Sequence, residues 1–208
     1  MPDDLAAIRR LYDRLAERYD RAQQGGCVRW ILKDGRVRAA QHARGRLLEI
    51  GIGSGASLPF YSLEIEITGI DVSPGMLAHA QHRLEELGRS GDLRVMDAQK
   101  LEFANRSFDS VAFNLVLCTI PNPAQAIREA LRVAKPGAPM TFLEHVRSNH
   151  WWVAAPQDVL NTITARYAHD RFNLETEKLI RRAGIEVVSS ERWLAGAMTL
   201  IVGRAPLE

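Results

Sequence analysis

The sequence predicts an α/β fold: a seven-stranded, mostly parallel sheet with helices on both faces and an antiparallel hairpin at its C-terminal end. Two observations carry this prediction. Short β-like runs alternate with helical stretches from residue 46 onward, and the last two runs are joined by a short loop around Ala195-Gly196. Alternation of strands and helices is typical of a parallel sheet covered by helices, whereas a short loop favours an antiparallel pair at the sheet edge.

Two helices are predicted before the first strand. Leu5, Ile8, Tyr12, Leu15 and Tyr19 recur at three- and four-residue steps, which predicts a helix over 3–24 that ends at the glycine pair 25–26. A second helix is predicted over 27–43. We therefore divide the chain into N-terminal helices (1–45), which form a lid or contact an acceptor or membrane, and a main domain (46–208).

The main domain contains the remaining predicted elements in order. The predicted strands are 46–50, 66–71, 93–97, 110–117, 139–145, 186–190 and 198–203. The predicted helices are 56–61, 74–87, 123–133, 150–168 and 174–183. The stretch near 148–170 is an insertion relative to simple strand–helix alternation.

Composition is typical of a globular enzyme. The chain has 208 residues, of which 46% are hydrophobic and 25% charged, enough to form one domain with a full core. Cys27 and Cys118 lack metal-like spacing, so we predict reduced thiols, no metal site and a cytoplasmic location. The sequence has no 18-residue apolar run, so we predict no membrane-spanning helix. It has no basic segment followed by an apolar core, so we predict no secretory signal.

The charge is unevenly distributed. Residues 1–46 contain eleven Arg and Lys against six Asp and Glu, a net charge of +5, while the whole chain has +2. Arg10, Arg14, Arg18 and Arg21 lie on one face of the first helix, with acidic residues at ion-pair spacing beside them. This face has two interpretations: a peripheral contact with an anionic membrane or acidic substrate, or a solvated helix surface.

A glycine-rich turn follows the first strand. Gly51, Gly53 and Gly55 stand at alternate positions, and Asp71 ends the second strand twenty residues after Gly51. Glycines let the backbone approach a ligand closely, and a carboxylate on the neighbouring strand can accept hydrogen bonds from ribose hydroxyls. The layout predicts a nucleoside-cofactor site. The structural alternative is a tight turn, with Asp71 at a helix N-terminus and Ser73 as the cap.

The glycine spacing identifies a class of relatives. G-x-G-x-G preceded by Glu49, together with the closing hairpin, resembles the class I S-adenosylmethionine-dependent methyltransferases over residues 8–203, and implies their Rossmann-like fold. The G-x-G-x-x-G spacing of nicotinamide oxidoreductases is absent. Residues 12–20 look like the opening helix of ubiquinone and menaquinone methyltransferases and of bacterial phosphatidylethanolamine N-methyltransferases. Residues 117–123 and 142–146 look like the alkyl-thiol methyltransferase group.

The resemblance implies roles for individual residues, with S-adenosylmethionine as cofactor and S-adenosylhomocysteine as product. Asp71 would hold the ribose, Asp97 the adenine amino group, and Asn114 would lie beside the amino-acid end. The implied cofactor-binding set is Glu49, Gly51, Gly53, Gly55, Asp71, Val72, Met76, Asp97, Ala98 and Asn114. The structural alternatives are a turn aspartate for Asp97 and a satisfied core amide for Asn114.

Four residues are candidates for catalysis. Glu144 and His145 end the fifth strand, where open α/β sheets place their ligands, and His145 has the reference pKa of a general base. Tyr12 and Tyr19 could orient an acceptor or hold its cation. The structural alternatives are a strand-end hydrogen bond for His145 and core packing for the tyrosines. Trp151 and Trp152 are interpreted as lining an acceptor pocket or an interface, or as covering the core.

The predicted function is therefore methyl transfer to sulfur or nitrogen of a thiol, a phospholipid head-group amine or a similar small-molecule or lipid-like acceptor. The alternative is a non-catalytic, S-adenosylmethionine-binding peripheral membrane or assembly protein. We predict no nucleic-acid partner, because no basic module with interleaved aromatic residues is present. The predicted assembly is a monomer or a homodimer, cytoplasmic or peripheral to the membrane.

Overall fold

The computed structural model describes residues 5–24, 26–167, 171 and 173–208. The helices are α1 (Leu5–Gln24), α2 (Gly26–Ala40), α3 (Pro74–Glu86), α4 (Pro123–Val133), α5 (Trp151–Tyr167) and α6 (Thr176–Arg182). The strands are β1 (Arg46–Ile50), β2 (Glu66–Asp71), β3 (Asp92–Val95), β4 (Ser110–Asn114), β5 (Pro139–His145), β6 (Glu186–Trp193) and β7 (Met198–Arg204). Residues 168–170 of the predicted insertion lie outside the described residues.

The strands form one sheet in the order β3-β2-β1-β4-β5-β7-β6. β3, β2, β1, β4 and β5 pair in parallel, and β7 pairs antiparallel with both β5 and β6. The order reverses direction at β1, so the carboxyl ends of β1, β2 and β4 open onto a crevice, where open α/β sheets bind ligands. The predicted fold class is confirmed.

The sheet buries a core on each face. Leu48 and Ile50 of β1 pack in one cluster with α4 and α6, whereas Leu47 packs in another with α2 and α3. This opposition follows from the two-residue repeat of a strand, which sends successive side chains to opposite faces. The near-continuous apolar run of β1 is what a strand buried on both faces requires.

Some predicted boundaries are wrong. β4 ends at Asn114 rather than residue 117, because Leu115 has a φ of 59° and the backbone N–H groups of Val116 and Leu117 donate to Glu144 Oε1 at 3.2 and 3.1 Å. β3 ends at Val95 rather than 97. The helix predicted over 56–61 is a single 3-10 turn, Leu58–Phe60.

The added helix α5 covers little of the core. Trp151 is 80% exposed and Trp152 56% exposed, so the interpretation of these side chains as core cover is wrong. Val159 and Leu160 are also exposed on this helix. Within the described residues, no helix combines the length and apolar character that crossing a bilayer would require.

Candidate functional site: a cleft at the carboxyl ends of β1, β2 and β4

The glycine turn is tied to the end of β2. The N–H groups of Gly51 and Ile52 both donate to the Ile70 carbonyl, at 2.8 and 3.0 Å. Gly51 has a φ of +68°, and a Cβ there would lie 2.1 Å from Val116 Cγ2. A side chain at this position would therefore clash with the loop after β4. The turn holds three strand ends together.

Gly53 serves a different purpose from Gly51. Its φ is +55°, but a Cβ built on it would meet no heavy atom within 4 Å. The space beside it belongs to a cleft with an empty volume of about 880 Å³, including its open mouth. Small-molecule sites commonly enclose several hundred Å³. Gly53 thus leaves backbone exposed to the cleft rather than relieving an internal clash.

Asp71 joins the two loops that border the cleft. Its Oδ2 accepts a hydrogen bond from Gly53 N at 3.0 Å, and its Oδ1 accepts one from Ser73 N at 2.9 Å. Burial raises the pKa of Asp71 to about 6, an effect that these backbone donors oppose. Ser73 also caps α3 by accepting from Met76 N, as the structural alternative required. A carboxylate has further lone pairs, so this anchoring leaves Asp71 able to accept from a ligand.

The predicted adenine side of the cleft is assembled from β2, α3 and the loop after β3. Val72, Met76, Asp97 and Ala98 all line it. Asp97 Oδ1 accepts from Gln99 N at 2.8 Å, which fixes the carboxylate in a turn. Met96 lies beside them. The result is an apolar slot with one carboxylate at its edge, which suits a flat heteroaromatic base with an exocyclic amine.

At the other end of the cleft, Glu49 and Asn114 come together. Asn114 Nδ2 donates to Glu49 Oε1 at 2.8 Å and lies 3.3 Å from the Tyr61 hydroxyl. Glu49 is only 1% exposed. Within the described residues, Glu49 Oε2 and Asn114 Oδ1 are buried and make no hydrogen bond. Buried acceptors without a hydrogen bond are rare in folded proteins. The hydroxyl groups of Ser57 and Tyr61 stand near the Glu49 carboxylate but do not reach hydrogen-bond geometry at Oε2.

The buried charge of Glu49 has a cost that can be measured. Burial raises its pKa from 4.5 to about 6, although the hydrogen bond from Asn114 and the charge of Arg36 oppose the rise. Because the folded-state pKa is the higher one, the protonated Glu49 side chain costs the folded state nothing below pH 4.5. The folded state loses stability as the pH rises through 6 and the buried carboxyl group ionises. A shift of this size corresponds to about 2 kcal/mol.

We therefore expect Glu49→Gln to stabilise the ligand-free protein at pH 8, by up to about 2 kcal/mol, and to change its stability little at pH 4.5. Urea unfolding of both proteins at the two pH values measures the difference. An equal difference at both values would contradict the assignment of the cost to this carboxylate.

The catalytic candidates divide into two groups. Tyr12 and Tyr19 line the cleft, with ring centroids 6.2 Å apart in an edge-to-face arrangement. Glu144 is buried and its carboxylate binds the backbone of the loop after β4, while His145 pairs with Met198 across the β5–β7 ladder. Neither is among the residues lining the cleft.

Gly55, which was predicted to bind the cofactor, is also not among the residues lining the cleft. A Cβ at this position would lie 2.5 Å from Leu58 Cδ1.

Helix α1 closes one side of the cleft and is held against α3 by two acidic residues. Asp13 Oδ1 accepts from Ser73 Oγ at 2.6 Å and from Gly75 N at 3.1 Å, at the N-terminus of α3. Asp20 pairs with Arg83 at 2.6 Å, and both side chains are largely buried. Within α1, Glu17 pairs with Arg21 at 3.3 Å and Asp13 lies 3.9 Å from Arg9. The free N–H groups at the start of α3 attract the Asp13 carboxylate as well.

Sequence reasoning missed one charged residue in the cleft. Arg36 of α2 is 6% exposed and lines the cleft together with Glu49 and Tyr19. Burial lowers the pKa of this guanidinium, and the nearby Tyr19 and Glu49 oppose that effect. The available signal was its spacing from Leu32, Ala39 and Ala40, which places an arginine on the buried face of α2.

The fold and the site together define an α/β protein with a ligand-sized cleft at the carboxyl ends of β1, β2 and β4. Residues 48–142 match the family model described as a methyltransferase domain. The resemblance to the class I S-adenosylmethionine-dependent methyltransferases that was predicted from the glycine spacing is confirmed over this domain. S-adenosylmethionine is the cofactor that this resemblance implies.

Individual relatives share this domain. A phosphatidylethanolamine N-methyltransferase of Cereibacter sphaeroides is 37% identical over 130 residues, covering 60% of this chain and 64% of that protein. A thiol S-methyltransferase of Mus musculus is 30% identical over 159 residues, covering 71% and 65%. The chain thus spans slightly less than two thirds of these relatives. A methyltransferase structure from Thermotoga maritima superposes with a TM-score of 0.71 at 23% identity, covering 94% and 99%, which shows the shared fold.

The residues of the cleft fit S-adenosylmethionine. Unsatisfied acceptors on Glu49 and Asn114 suit a donor such as an ammonium group, and the backbone at Gly53 is open to the cleft. Asp71 lies between this end and the apolar slot at Met76 and Asp97, where a ribose joining the two would fall. These residues come from different strands, from α3 and from the connecting loops, and the sheet brings them to one edge.

Proposed function

We propose that this protein transfers a methyl group from S-adenosylmethionine to sulfur or nitrogen of a small-molecule or lipid-like acceptor. The observation that carries the proposal is the single cleft that contains nine of the ten predicted cofactor residues together with both tyrosines of α1. Relatives named for thiol and phosphatidylethanolamine methylation support the acceptor class. Bound S-adenosylmethionine supplies an electrophilic methyl group on a positively charged sulfur.

The residues of the chain contribute positioning and exclusion of water. Asp71 and Asp97 hold the nucleoside, while Leu5 and Ile8 of α1 cover the cleft. Fixing two reactants in line can supply much of the rate for such a displacement. Tyr12 and Tyr19 lie on the wall of the cleft, so their rings and hydroxyl groups are the nearest candidates to orient an acceptor. Glu144 and His145 are not proposed as general bases, since neither lines the cleft.

Product analysis tests this proposal. The purified protein is incubated with methyl-labelled S-adenosylmethionine and, separately, alkyl thiols, small amines and phosphatidylethanolamine vesicles, and the products are identified by mass spectrometry. Labelled thioether or N-methylamine, dependent on Asp71, supports methyl transfer. Tight binding of S-adenosylhomocysteine without any labelled product would favour the alternative, a non-catalytic cofactor-binding protein. A thermal shift with NAD but not with S-adenosylhomocysteine would contradict both.

We further propose that the protein acts in the cytoplasm, as a monomer or homodimer, with peripheral contact to anionic membrane through α1. Arg10, Arg14 and Arg18 are exposed on α1, on the side away from the buried Ile8 and Ala16. Lysine- and arginine-rich helix faces bind anionic lipid surfaces. The exposed Trp151 and Trp152 of α5 add aromatic side chains of the kind that settle at a lipid interface.

Replacing Arg10, Arg14 and Arg18 by glutamine is expected to reduce co-sedimentation with phosphatidylglycerol vesicles by at least about tenfold at low salt, since each basic residue contributes about 1 kcal/mol near an anionic surface. A control variant with the same charge change replaces three exposed arginines elsewhere: Arg128, Arg182 and Arg204. Equal loss in both variants would indicate a net-charge effect, and unchanged sedimentation of the α1 variant would leave this face as a solvated surface.

A further inference from the structure

Helix α5 turns its apolar side chains toward solvent. Between residues 151 and 160 the exposed positions come in adjacent pairs that recur every four residues. The six members of these pairs, which we call the α5 stripe, are Trp151, Trp152, Ala155, Pro156, Val159 and Leu160. Residues four apart lie on one side of a helix, so the stripe is a continuous face without a charged group.

The side of α5 that faces the protein combines the small Ala154 with polar side chains. Gln157 Oε1 accepts a hydrogen bond from Ser148 N at 2.8 Å, and Gln157 Nε2 donates to the Val146 carbonyl at 3.0 Å. Asp158 pairs with the Arg147 guanidinium at 2.8 Å. A surface helix normally buries its apolar side and exposes its polar side. Because α5 has the reverse orientation, its stripe is an interaction surface, as contiguous exposed apolar patches generally are.

The size of the stripe decides between a protein partner and a lipid surface. Its ten residues extend over only about 15 Å of helix. A stable complex of two protein chains buries about 800 Å² on each partner, from about 20–30 residues a side. The stripe is too small for such an interface. A helix that lies in the plane of a bilayer surface needs only one apolar face, which enters the lipid to a depth of about 5–10 Å.

The residue types of the stripe and its surroundings also fit a lipid surface. Tryptophan is enriched at membrane–water interfaces, and Trp151 and Trp152 stand together at the start of α5. A surface depression next to this end is lined by the basic residues Arg147, Lys178, Arg181 and Arg192 and by the acidic residues Glu175 and Glu177. The excess of basic side chains suits lipid phosphates beside the apolar insertion.

The chain returns from α5 to the wall of the cleft. Arg171 N donates to the Cys118 carbonyl at 3.1 Å, and Arg171 Nη2 donates to the carbonyls of Ile120 and Pro121 at 3.0 and 2.8 Å. Ile120 and Pro121 line the cleft. Arg171 is four residues beyond Tyr167, where α5 ends, and a chain of four residues spans at most about 14 Å. A lipid surface that meets the end of α5 therefore lies close to the cleft.

We propose that the α5 stripe inserts into the interfacial region of a lipid bilayer and holds the cleft at the membrane surface, where it receives a lipid-like acceptor. The inference rests on the proposed function and extends it, because the membrane contact assigned to α1 is electrostatic and the contact of the stripe is apolar. Salt screens exposed charges, whereas the burial of apolar surface does not depend on charge. The two contacts can therefore be measured separately.

Co-sedimentation with vesicles of phosphatidylcholine and phosphatidylglycerol, at low and at high salt, tests the inference. The wild-type protein is expected to keep measurable binding at high salt. The double variant Val159→Ser/Leu160→Ser, which retains both tryptophans of the stripe, is expected to bind at least about tenfold more weakly at either salt concentration, because two apolar side chains no longer gain from burial.

Tryptophan fluorescence tests the insertion itself. Phosphatidylcholine with brominated acyl chains quenches tryptophans that enter the bilayer. The fluorescence of the wild-type protein is expected to be quenched by vesicles that contain it. The double variant Trp151→Ser/Trp152→Ser is expected to lose this quenching, and its remaining tryptophans, Trp30 and Trp193, lie outside the stripe.

Leu63→Ser/Leu207→Ser is the matched control, with two exposed leucines that are not part of α5. Leu63 is 81% exposed just before β2, and Leu207 is 77% exposed just after β7, so both lie near the opposite edge of the sheet. This variant should bind vesicles as the wild type does. All three double variants should bind S-adenosylhomocysteine with the wild-type affinity, since none of the substituted residues lines the cleft.

The outcomes separate the inference from the proposed function. Equal vesicle binding by the wild type and Val159→Ser/Leu160→Ser would overturn the inference, as would an equal loss in the leucine control. A wild-type dimer in sedimentation equilibrium that dissociates in the stripe variant would assign this face to a second copy, and would also overturn it. Vesicle binding that depends on the stripe, without labelled product in the methyl-transfer assay, would support the inference and overturn the proposed function.

Discussion

Replacing Asp71 by alanine is expected to weaken binding of S-adenosylhomocysteine by more than about tenfold, the usual consequence of removing a carboxylate that accepts hydrogen bonds. The loss has two sources. In the free protein the carboxylate fixes Gly53 and Ser73, so its removal releases both loops that border the cleft. In the complex, the ribose hydroxyls would lose their acceptor. Calorimetric titration of the folded variant measures the effect.

Asp109→Ala provides a matched control. Asp109 also anchors two groups, accepting from Arg46 N at 2.9 Å and from Lys135 Nζ at 2.6 Å, but it precedes β4 and lies away from the cleft. Both variants should lose stability, and only Asp71→Ala should lose affinity. Affinity within about twofold of the wild type in Asp71→Ala would contradict the proposed role, since a buried unpaired hydroxyl alone costs more than that.

A methyl group added at Gly53 is expected to abolish measurable cofactor binding while the protein remains folded. A Cβ there meets no atom of the described residues within 4 Å, and Gly53 lines the cleft, so we expect the added methyl group to occupy space that the cofactor needs. The positive φ of +55° adds a strain of roughly 1–2 kcal/mol for alanine. Thermal unfolding should therefore show a Tm lower by only a few degrees.

Gly88→Ala separates strain from obstruction. Gly88 follows α3, has a φ of +62° and is likewise open around its Cβ, but it does not line the cleft. The two variants should lose similar stability, and only Gly53→Ala should lose cofactor binding. Normal binding by Gly53→Ala would contradict the placement of the cofactor against this backbone segment.

Features encoded by short segments were predicted well from the sequence. The glycine turn, Asp71 and the ends of β1 and β2 follow from local patterns, because a buried strand and a close backbone approach each need particular residues at fixed spacing. The closing hairpin was also correct, and Leu194, Ala195 and Gly196 at its turn all have positive φ. The alternating segments were therefore enough to predict the fold class.

Features that depend on distant partners were not predictable in the same way. The pattern of 115–117 is strand-like, yet the chain turns away there because Glu144, on the next strand, binds the N–H groups of Val116 and Leu117. Asp13 and Asp20 obey helical ion-pair spacing, but they also contact α3, at its N-terminus and at Arg83. Arg36 enters the cleft only through the packing of α2 on the sheet. Local spacing carries no information about these tertiary contacts.

The dependence on distant partners also affects the prediction that Glu144 and His145 take part in catalysis. The end of β5 does lie at the ligand edge of the sheet, as the topology rule states. Glu144, however, uses its carboxylate to hold the loop after β4, and His145 continues the ladder with β7. A strand end locates the edge of the sheet, but the direction of each side chain depends on its neighbours. Asn114, on the adjacent strand, points into the cleft.

A crystal structure of the protein with S-adenosylhomocysteine tests the central claim most directly. The predicted result is electron density for the nucleoside along the carboxyl ends of β1 and β2, with ribose hydroxyls at Asp71, adenine beside Met76 and the amino-acid end beside Glu49 and Asn114. Density for the ligand elsewhere, or a cleft at Gly51–Gly55 filled by the protein's own side chains, would contradict it.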